Sequence, residues 1–328
     1  MQAHRPEMQA HRPEVQAHRP ELLGAGQLRC AVAPAPPAPL IADAVVAGGA
    51  ELVDPSEASA LVWTDPADAS ALAGVLADAP QITWVQLPFA GVDAFLELLD
   101  DDHIWTSTKG AYSEPVAEHA LALGLAGLRQ LTVRARADRW GEQAGRRLMG
   151  GRVTLVGGGG ITQALLRLLR PFHVEATVVR RHVAPVEGAT VVVGADRLRD
   201  TLPGADLVVL ALPLTPETVG VIGAEELDLM SPHAWLVNVA RGRHVVTDDL
   251  VAALESERIG GAALDVTDPE PLPAGHRLWS LDNCLITPHT SNTWVMAEPL
   301  FAQRVVANIG RCQRGEPLLG RIDPALGY

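Results

Sequence analysis

Lysine is nearly absent: it occurs once in 328 residues, at Lys109, and 39 Asp and Glu outweigh 26 Lys and Arg for a net charge of −13. A nucleic-acid backbone calls for clustered cations, so nucleic acid is not an expected partner. Cysteine is scarce as well. The three, Cys30, Cys284 and Cys312, are odd in number, far apart and form no CxxC. That excludes a disulfide framework and a zinc site, and no metal is expected. No apolar run approaches the ~18 residues of a membrane span. The best candidate, residues 207–214, runs into Thr215-Pro216. The N-terminus lacks the charged-then-apolar layout of a signal peptide. The expectation is a soluble, cytoplasmic protein without membrane association. Charged residues make up 20% and hydrophobic residues 48%, which excludes global disorder. The length suggests roughly two domains.

The chain opens on three copies of a seven-residue repeat, MQAHRPE, MQAHRPE, VQAHRPE. Pro6, Pro13 and Pro20 fall one in each copy, and a proline inside a helix removes a hydrogen bond and clashes with the preceding turn. Residues 1–27 therefore read as a disordered tail rather than a coiled coil. Apolar strand patterns at 28–34, 51–53, 60–63 and 82–87 then alternate with helical patterns at 40–48 and 70–79. Pro115 sits at the start of a long apolar helix, 116–136. A second series follows, with strands at 152–156, 176–179, 207–212, 235–239, 261–266 and 285–287. Strands alternating with helices indicate parallel βαβ units. Six strands in the second series match a doubly wound dinucleotide-binding sheet. The chain after Trp294 is helical again and is expected to pack back on the first unit. The domain reading is 28–115 plus 295–328 for one unit and 116–294 for the other.

Between the first strand and helix of the second unit stands VTLVGGGGIT. Gly157-x-Gly159-x-x-Thr162 matches GxGxxG except at its last position, and its strand–helix context gives the match weight. Gly157 permits the tight turn, and Gly159 lets the backbone approach a pyrophosphate at the helix N-terminus. Thr162 loosens the helix–strand packing and is itself a candidate phosphate donor. About 20 residues on, NAD enzymes place an acidic residue that binds the ribose 2′-hydroxyl. Here the strand ends in Arg180-Arg181-His182, and a guanidinium suits a 2′-phosphate. NADP(H) is therefore the expected cofactor, with NAD(H) as the alternative. Three polar residues follow late strands: Arg241 in NVARG, Glu270 in LDVTDPEPLP and His289 in LITPHTSN. Arginine can bind a carboxylate and polarise a carbonyl. Histidine can protonate the carbonyl oxygen as hydride arrives at carbon. A neighbouring carboxylate favours the protonated imidazole.

From about residue 28 to its end the chain resembles the D-isomer-specific 2-hydroxyacid dehydrogenase family. The motifs VGGGGIT, ALPLTPETVG, VNVARGRHVVTDDLVAAL, GAALDVTDPEPLP and ITPHTSN stand in the family's order and spacing. The resemblance implies two Rossmann/flavodoxin-like α/β domains with parallel sheets, crossing helices near 116–136 and 292–311, and an active site in the interdomain cleft. It implies Arg241 as a substrate-binding and catalytic residue, Glu270 as partner of the catalytic histidine, and His289 as acid/base. It places Asp265 near the nicotinamide end of the cofactor. The loop 89–93 would offer backbone N–H groups, with Ala90 and Gly91 binding the substrate carboxylate. Gly157, Gly158, Gly159, Ile161, Thr162, Arg180, Arg181, Leu212, Pro213, Thr218, Val239 and Ala240 would line the cofactor. A homodimer is implied as well. The expected activity is hydride transfer between NAD(P)H and a small 2-oxo acid or D-2-hydroxy acid, of the glyoxylate/hydroxypyruvate reductase type. Glu270 argues against formate dehydrogenase, which has Gln there. A non-catalytic NAD(P)-sensing regulatory protein of the same fold stays open as the alternative.

Overall fold

The computed structural model describes residues 27–327, so the repeat and its expected disorder lie outside the described residues. The first unit is a five-stranded parallel sheet. Its strands are β1 (Arg29–Ala33), β2 (Glu51–Leu52), β3 (Ala60–Trp63), β4 (Trp84–Gln86) and β5 (Ile104–Thr106). They lie in the order β2-β1-β3-β4-β5, the flavodoxin-like winding. Helix α1 (Pro39–Ala47) and the last long helix, Trp294–Gln313, cover one face with Val32, Val62, Trp84 and Phe301. Helix α2 (Ala69–Asp78) covers the other with Leu61, Trp63, Val85 and Trp105. The C-terminal helix thus packs back on the first unit.

Helix α3 (Ser113–Leu128) leads to the second unit and packs on its sheet. The helix expected at 116–136 is not continuous. Gln130 adopts a left-handed φ of 51° and separates α3 from the short α4 (Leu131–Ala135). The second sheet has seven parallel strands rather than six. They are β6 (Arg152–Val156), β7 (Glu175–Val179), β8 (Val191–Val193), β9 (Leu207–Leu210), β10 (Trp235–Asn238), β11 (Gly261–Leu264) and β12 (Cys284–Ile286). Their order is β12-β11-β10-β9-β6-β7-β8. The strand missing from the sequence reading is β8, a three-residue edge strand whose valines are only partly covered, too short and too exposed for an apolar pattern. Likewise β5 is short, and it follows a run of aspartates.

Both faces of this sheet are covered, which is why its strands read as unbroken apolar runs. Leu155, Val178, Val209 and Val237 meet α3 and α5 (Gly160–Leu169) on one face. Val208, Leu210, Leu236 and Leu264 meet α7 (Ala224–Leu229) and α8 (Thr247–Glu255) on the other. The remaining helices are α6 (Leu198–Thr201) and the C-terminal α9 (Trp294–Gln313). The winding reverses between β6 and β9. Ligands of open α/β sheets bind at the carboxyl ends of strands beside such a reversal.

Candidate active site

The glycine loop leaves β6 at this switch point. Gly157 has φ 111°, and a Cβ there would collide with the Ala211 carbonyl, so only glycine fits the turn. Around Gly159 the opposite holds: a Cβ would meet nothing within 4 Å. The first turn of α5, with its N–H groups free of intrahelical partners, therefore opens onto unfilled space. This cradle fits a pyrophosphate. Thr162 is not available to it. Its side chain is buried and its hydroxyl donates to the Gly157 carbonyl at 2.8 Å. The candidate donor is thus a brace within the loop, and a buried threonine fills the packing that a third glycine would leave open. Ile161 packs against the α3–α5 core.

Arg180 stands at the tip of β7, its backbone N–H bonded to the Val193 carbonyl at 3.0 Å. A Cβ on Gly158 would lie 2.9 Å from Arg180 Cδ and 3.0 Å from its Nε. The side chain therefore lies over the glycine loop, beside the phosphate cradle. Arg181 is exposed, with Nε donating to His182 Nε2 at 3.3 Å. Across the cradle the segment after β9 is held by Thr218, whose hydroxyl donates to the Pro213 carbonyl at 2.9 Å and accepts from the Thr215 N–H at 2.7 Å. Leu212 packs into the neighbouring core. Val239 and Ala240 are buried at the end of β10.

Arg241 follows directly. Asn238 secures the turn, donating to the Arg241 carbonyl at 2.8 Å and accepting from the Ala240 N–H at 3.0 Å. His244 secures it from beneath, fully buried. Its Nδ1 lies 3.2 Å from the Arg241 backbone nitrogen and 3.0 Å from the Arg241 carbonyl oxygen, and its Nε2 lies 3.2 Å from the Pro213 carbonyl. Burial pushes this imidazole toward its neutral form, against the pull of the Pro213 and Arg241 carbonyls. Neither Asn238 nor His244 was singled out from sequence. Asn238 carries the one available signal, an amide ending an otherwise apolar strand.

His289 and Glu270 come together as their motifs suggest, with His289 Nδ1 2.6 Å from Glu270 Oε1. That contact leaves Nε2 as the outward nitrogen of the ring. His289 has a left-handed φ of 51°, held by its N–H bonding to the carbonyls of Asp265 at 2.9 Å and Thr287 at 3.0 Å. Such backbone in a non-glycine residue persists where the surroundings fix it. Asp265 supplies much of that fixing. Its buried carboxylate accepts from the Thr287 hydroxyl at 2.6 Å, the Thr290 N–H at 2.8 Å and the Ser291 N–H at 3.0 Å. His119, on α3, adds Nε2 at 3.4 Å. Burial works to raise this carboxyl's pKa, but the bonds from His119, Thr287, Thr290 and Ser291 prevail and hold it below the carboxylate range. Asp265 is thus the keystone of the loop carrying His289. His119 belongs to that keystone.

The loop after β4 faces these groups from the first unit. Ala90 is exposed and Gly91 half-buried. A Cβ on Gly91 would collide with Arg241 Nη2, so the loop backbone lies against the guanidinium. Phe89 meets Trp294 edge-on, with centroids 6.2 Å apart, and Trp294 meets Phe301 in turn. Trp294 therefore walls this end of the cleft. The arrangement gathers hydrogen-bond donors, a carboxylate-paired histidine and an arginine beside a phosphate cradle, the parts that proton and hydride transfer to a carbonyl require. Among the described residues, no three His, Cys, Asp or Glu side chains cluster as metal ligands, and no helix is long and apolar enough to cross a membrane.

Comparison with known proteins points to one family. The model for the NAD binding domain of D-isomer specific 2-hydroxyacid dehydrogenases matches residues 119–291. An uncharacterised protein of Corynebacterium melassecola is 39% identical over 76% of this chain and 86% of its own length. A glyoxylate reductase of Pyrococcus furiosus is 36% identical over 64% of this chain and 66% of its own. Among solved structures, a D-isomer specific 2-hydroxyacid dehydrogenase of Xanthobacter autotrophicus in complex with NADPH has a TM-score of 0.79 and 30% identity, covering 92% of this chain and all of that one. An NADPH-dependent glyoxylate/hydroxypyruvate reductase of Sinorhizobium meliloti, bound to NADP, has a TM-score of 0.77 and 26% identity over the same shares.

Proposed function

Because the chain belongs to the D-isomer-specific 2-hydroxyacid dehydrogenase family, and is on that ground an oxidoreductase of nicotinamide chemistry, we propose that it reduces a small 2-oxo acid to the D-2-hydroxy acid with NADPH as the preferred reductant. The 2.6 Å pairing of His289 with Glu270, beside Arg241, carries this reading. When bound, the nicotinamide supplies the hydride that reaches the carbonyl carbon. The chain's residues do the rest. N–H groups at Ala90 and Gly91 hold the substrate carboxylate, and Arg241 polarises the carbonyl. His289 Nε2 delivers a proton to the carbonyl oxygen, while Glu270 holds Nδ1 and stabilises the charged ring before the transfer. Asp265 keeps the His289 loop in place.

Gly157, Gly158, Gly159 and the start of α5 would hold the pyrophosphate, and Arg180 the 2′-phosphate. The position of Arg180 over the glycine loop supports NADPH, as do the NADPH and NADP complexes of the two structural relatives. The relatives' names favour glyoxylate and hydroxypyruvate as substrates. A homodimer and a cytoplasmic location belong to the same proposal. The unit made of 28–115 with 295–328 would carry the substrate loop, and 116–294 the nucleotide. The test is NADPH and NADH oxidation against glyoxylate, hydroxypyruvate, pyruvate and longer 2-oxo acids. Turnover with NADPH well above NADH is expected. Tight NADPH binding with no turnover on any acid would sink the enzyme reading.

A further inference from the structure

The loop after β4 brings more than N–H groups to the cleft. Asp93 opens the turn that follows it, on the first unit, and Arg241 follows β10 on the second. Although 148 positions apart in the chain, they meet side chain to side chain. Asp93 Oδ2 accepts from Arg241 Nε at 3.2 Å and from Nη2 at 2.9 Å. Arg241 Nη1 donates to the Ala240 carbonyl at 2.7 Å. A guanidinium has five N–H bonds in one plane. These contacts engage three, and the other two sit one on each terminal nitrogen. Such a pair is the fork that takes a carbonyl or carboxylate oxygen.

A carboxylate on a substrate-binding arginine could stand where the substrate belongs, or it could grip an edge the substrate does not use. The geometry favours the second. A single oxygen takes the Nε side, and an N–H remains on each terminal nitrogen. We propose that Asp93 is a positioning residue for Arg241, reaching across the cleft to hold the Nε edge of the guanidinium so that its terminal N–H pair faces the substrate carbonyl. The inference rests on the substrate reading above. It also makes alignment of Arg241 depend on closure, because the grip spans the two units. Asp93 suits this task as a lasting anion. Burial opposes its ionisation, but the hydrogen bond and charge of Arg241, with a contribution from His289, outweigh burial and lower its pKa.

The test uses the full chain with Asp93→Ala and Asp93→Asn. Three quantities are measured: kcat on the best 2-oxo acid, NADPH affinity by fluorescence, and oxamate affinity of the NADPH complex by calorimetry. Misplacing a substrate-orienting group costs on the order of 10² in rate, so Asp93→Ala is expected to lower kcat by about that factor and to weaken oxamate binding, with NADPH affinity unchanged. Asp93→Asn should retain more activity than Asp93→Ala, because its amide oxygen still accepts from Nε and Nη2. It also carries the comparison should the alanine variant fail to fold. Wild-type kcat in the variants, or oxamate bound more tightly than by wild type, would overturn the proposal. The tighter binding would mean that the carboxylate occupies the substrate's place. A wild-type chain that binds oxamate but reduces no 2-oxo acid would defeat the functional reading alone. Oxamate affinity would then decide, with weaker binding in Asp93→Ala supporting the proposal and equal binding ending it. A wild-type NADPH complex with no affinity for oxamate would overturn the proposal.

Discussion

Replacing Asp265 with asparagine perturbs the loop of His289 without touching the substrate. The native carboxylate accepts from the Thr287 hydroxyl and from the Thr290 and Ser291 N–H groups, all at 2.6–3.0 Å. An amide has one oxygen and one NH2, so whichever way it turns, the NH2 faces at least one of these donors. One charge-assisted bond is lost and a buried N–H or O–H is left without an acceptor, together about 2–4 kcal/mol at neutral pH. The sign of the pH dependence follows from the lowered pKa. A carboxylate whose folded pKa lies below its ordinary 3.8 stabilises the fold fully above that value. The contribution fades as the pH falls through the lowered folded value. The stability gap between wild type and Asp265→Asn should therefore be flat near neutrality and narrow below pH 3.8. Urea unfolding followed by circular dichroism across that range measures it. Equal stabilities at neutral pH, or a gap that does not shrink in acid, would mean that the Asp265 carboxylate does not hold this loop. Because Thr290 and Ser291 directly follow His289, kcat should fall as well.

Two further substitutions examine the site. Glu270→Gln keeps an acceptor for His289 Nδ1 but removes the charge. It should lower kcat/KM for reduction at neutral pH by about 10²-fold, the lower end of general acid–base effects, and a wild-type value in steady-state assays would contradict the pairing's role. Arg180→Ala removes a guanidinium from beside the glycine loop. A charge-assisted bond worth about 1.5–3 kcal/mol corresponds to a rise of about ten- to a hundredfold in KM for NADPH. KM for NADH should change little, and equal losses for both cofactors would defeat the 2′-phosphate reading.

What the sequence discloses about this molecule is mostly local. Four glycines between an apolar strand and an apolar helix define the cradle because the turn, the close approach and the helix start all fall within a few residues. Glu270 and His289 are legible as a pair because both follow strands of one sheet, which brings them to one edge. The contacts that sequence does not disclose are long-range or conformational. Asp93 meets Arg241 across 148 positions and two separate sheets, and no pattern near either residue signals the other. The left-handed backbone of His289 depends on a buried carboxylate 24 residues earlier and on a helix from the unit's start. His244 looks like one polar residue in RGRHVV, and only burial reveals it as a support for Arg241. Thr162 shows the limit of reading a motif by donor type. Its hydroxyl faces the loop's own carbonyl, a direction set by the helix turn and invisible in the string of letters. The edge strand β8 escapes because three half-covered valines generate no periodicity.

In the proposed reaction His289 delivers a proton as the 2-oxo acid is reduced. The most direct measurement mixes NADPH-loaded wild type and His289→Ala with the best 2-oxo acid of the panel and follows nicotinamide absorbance through a single turnover. NADPH should bind the two proteins equally, and the reduction step should be slower by about 10² to 10⁴ in the variant. A His289→Ala protein that consumes NADPH at the wild-type rate would contradict proton delivery by His289.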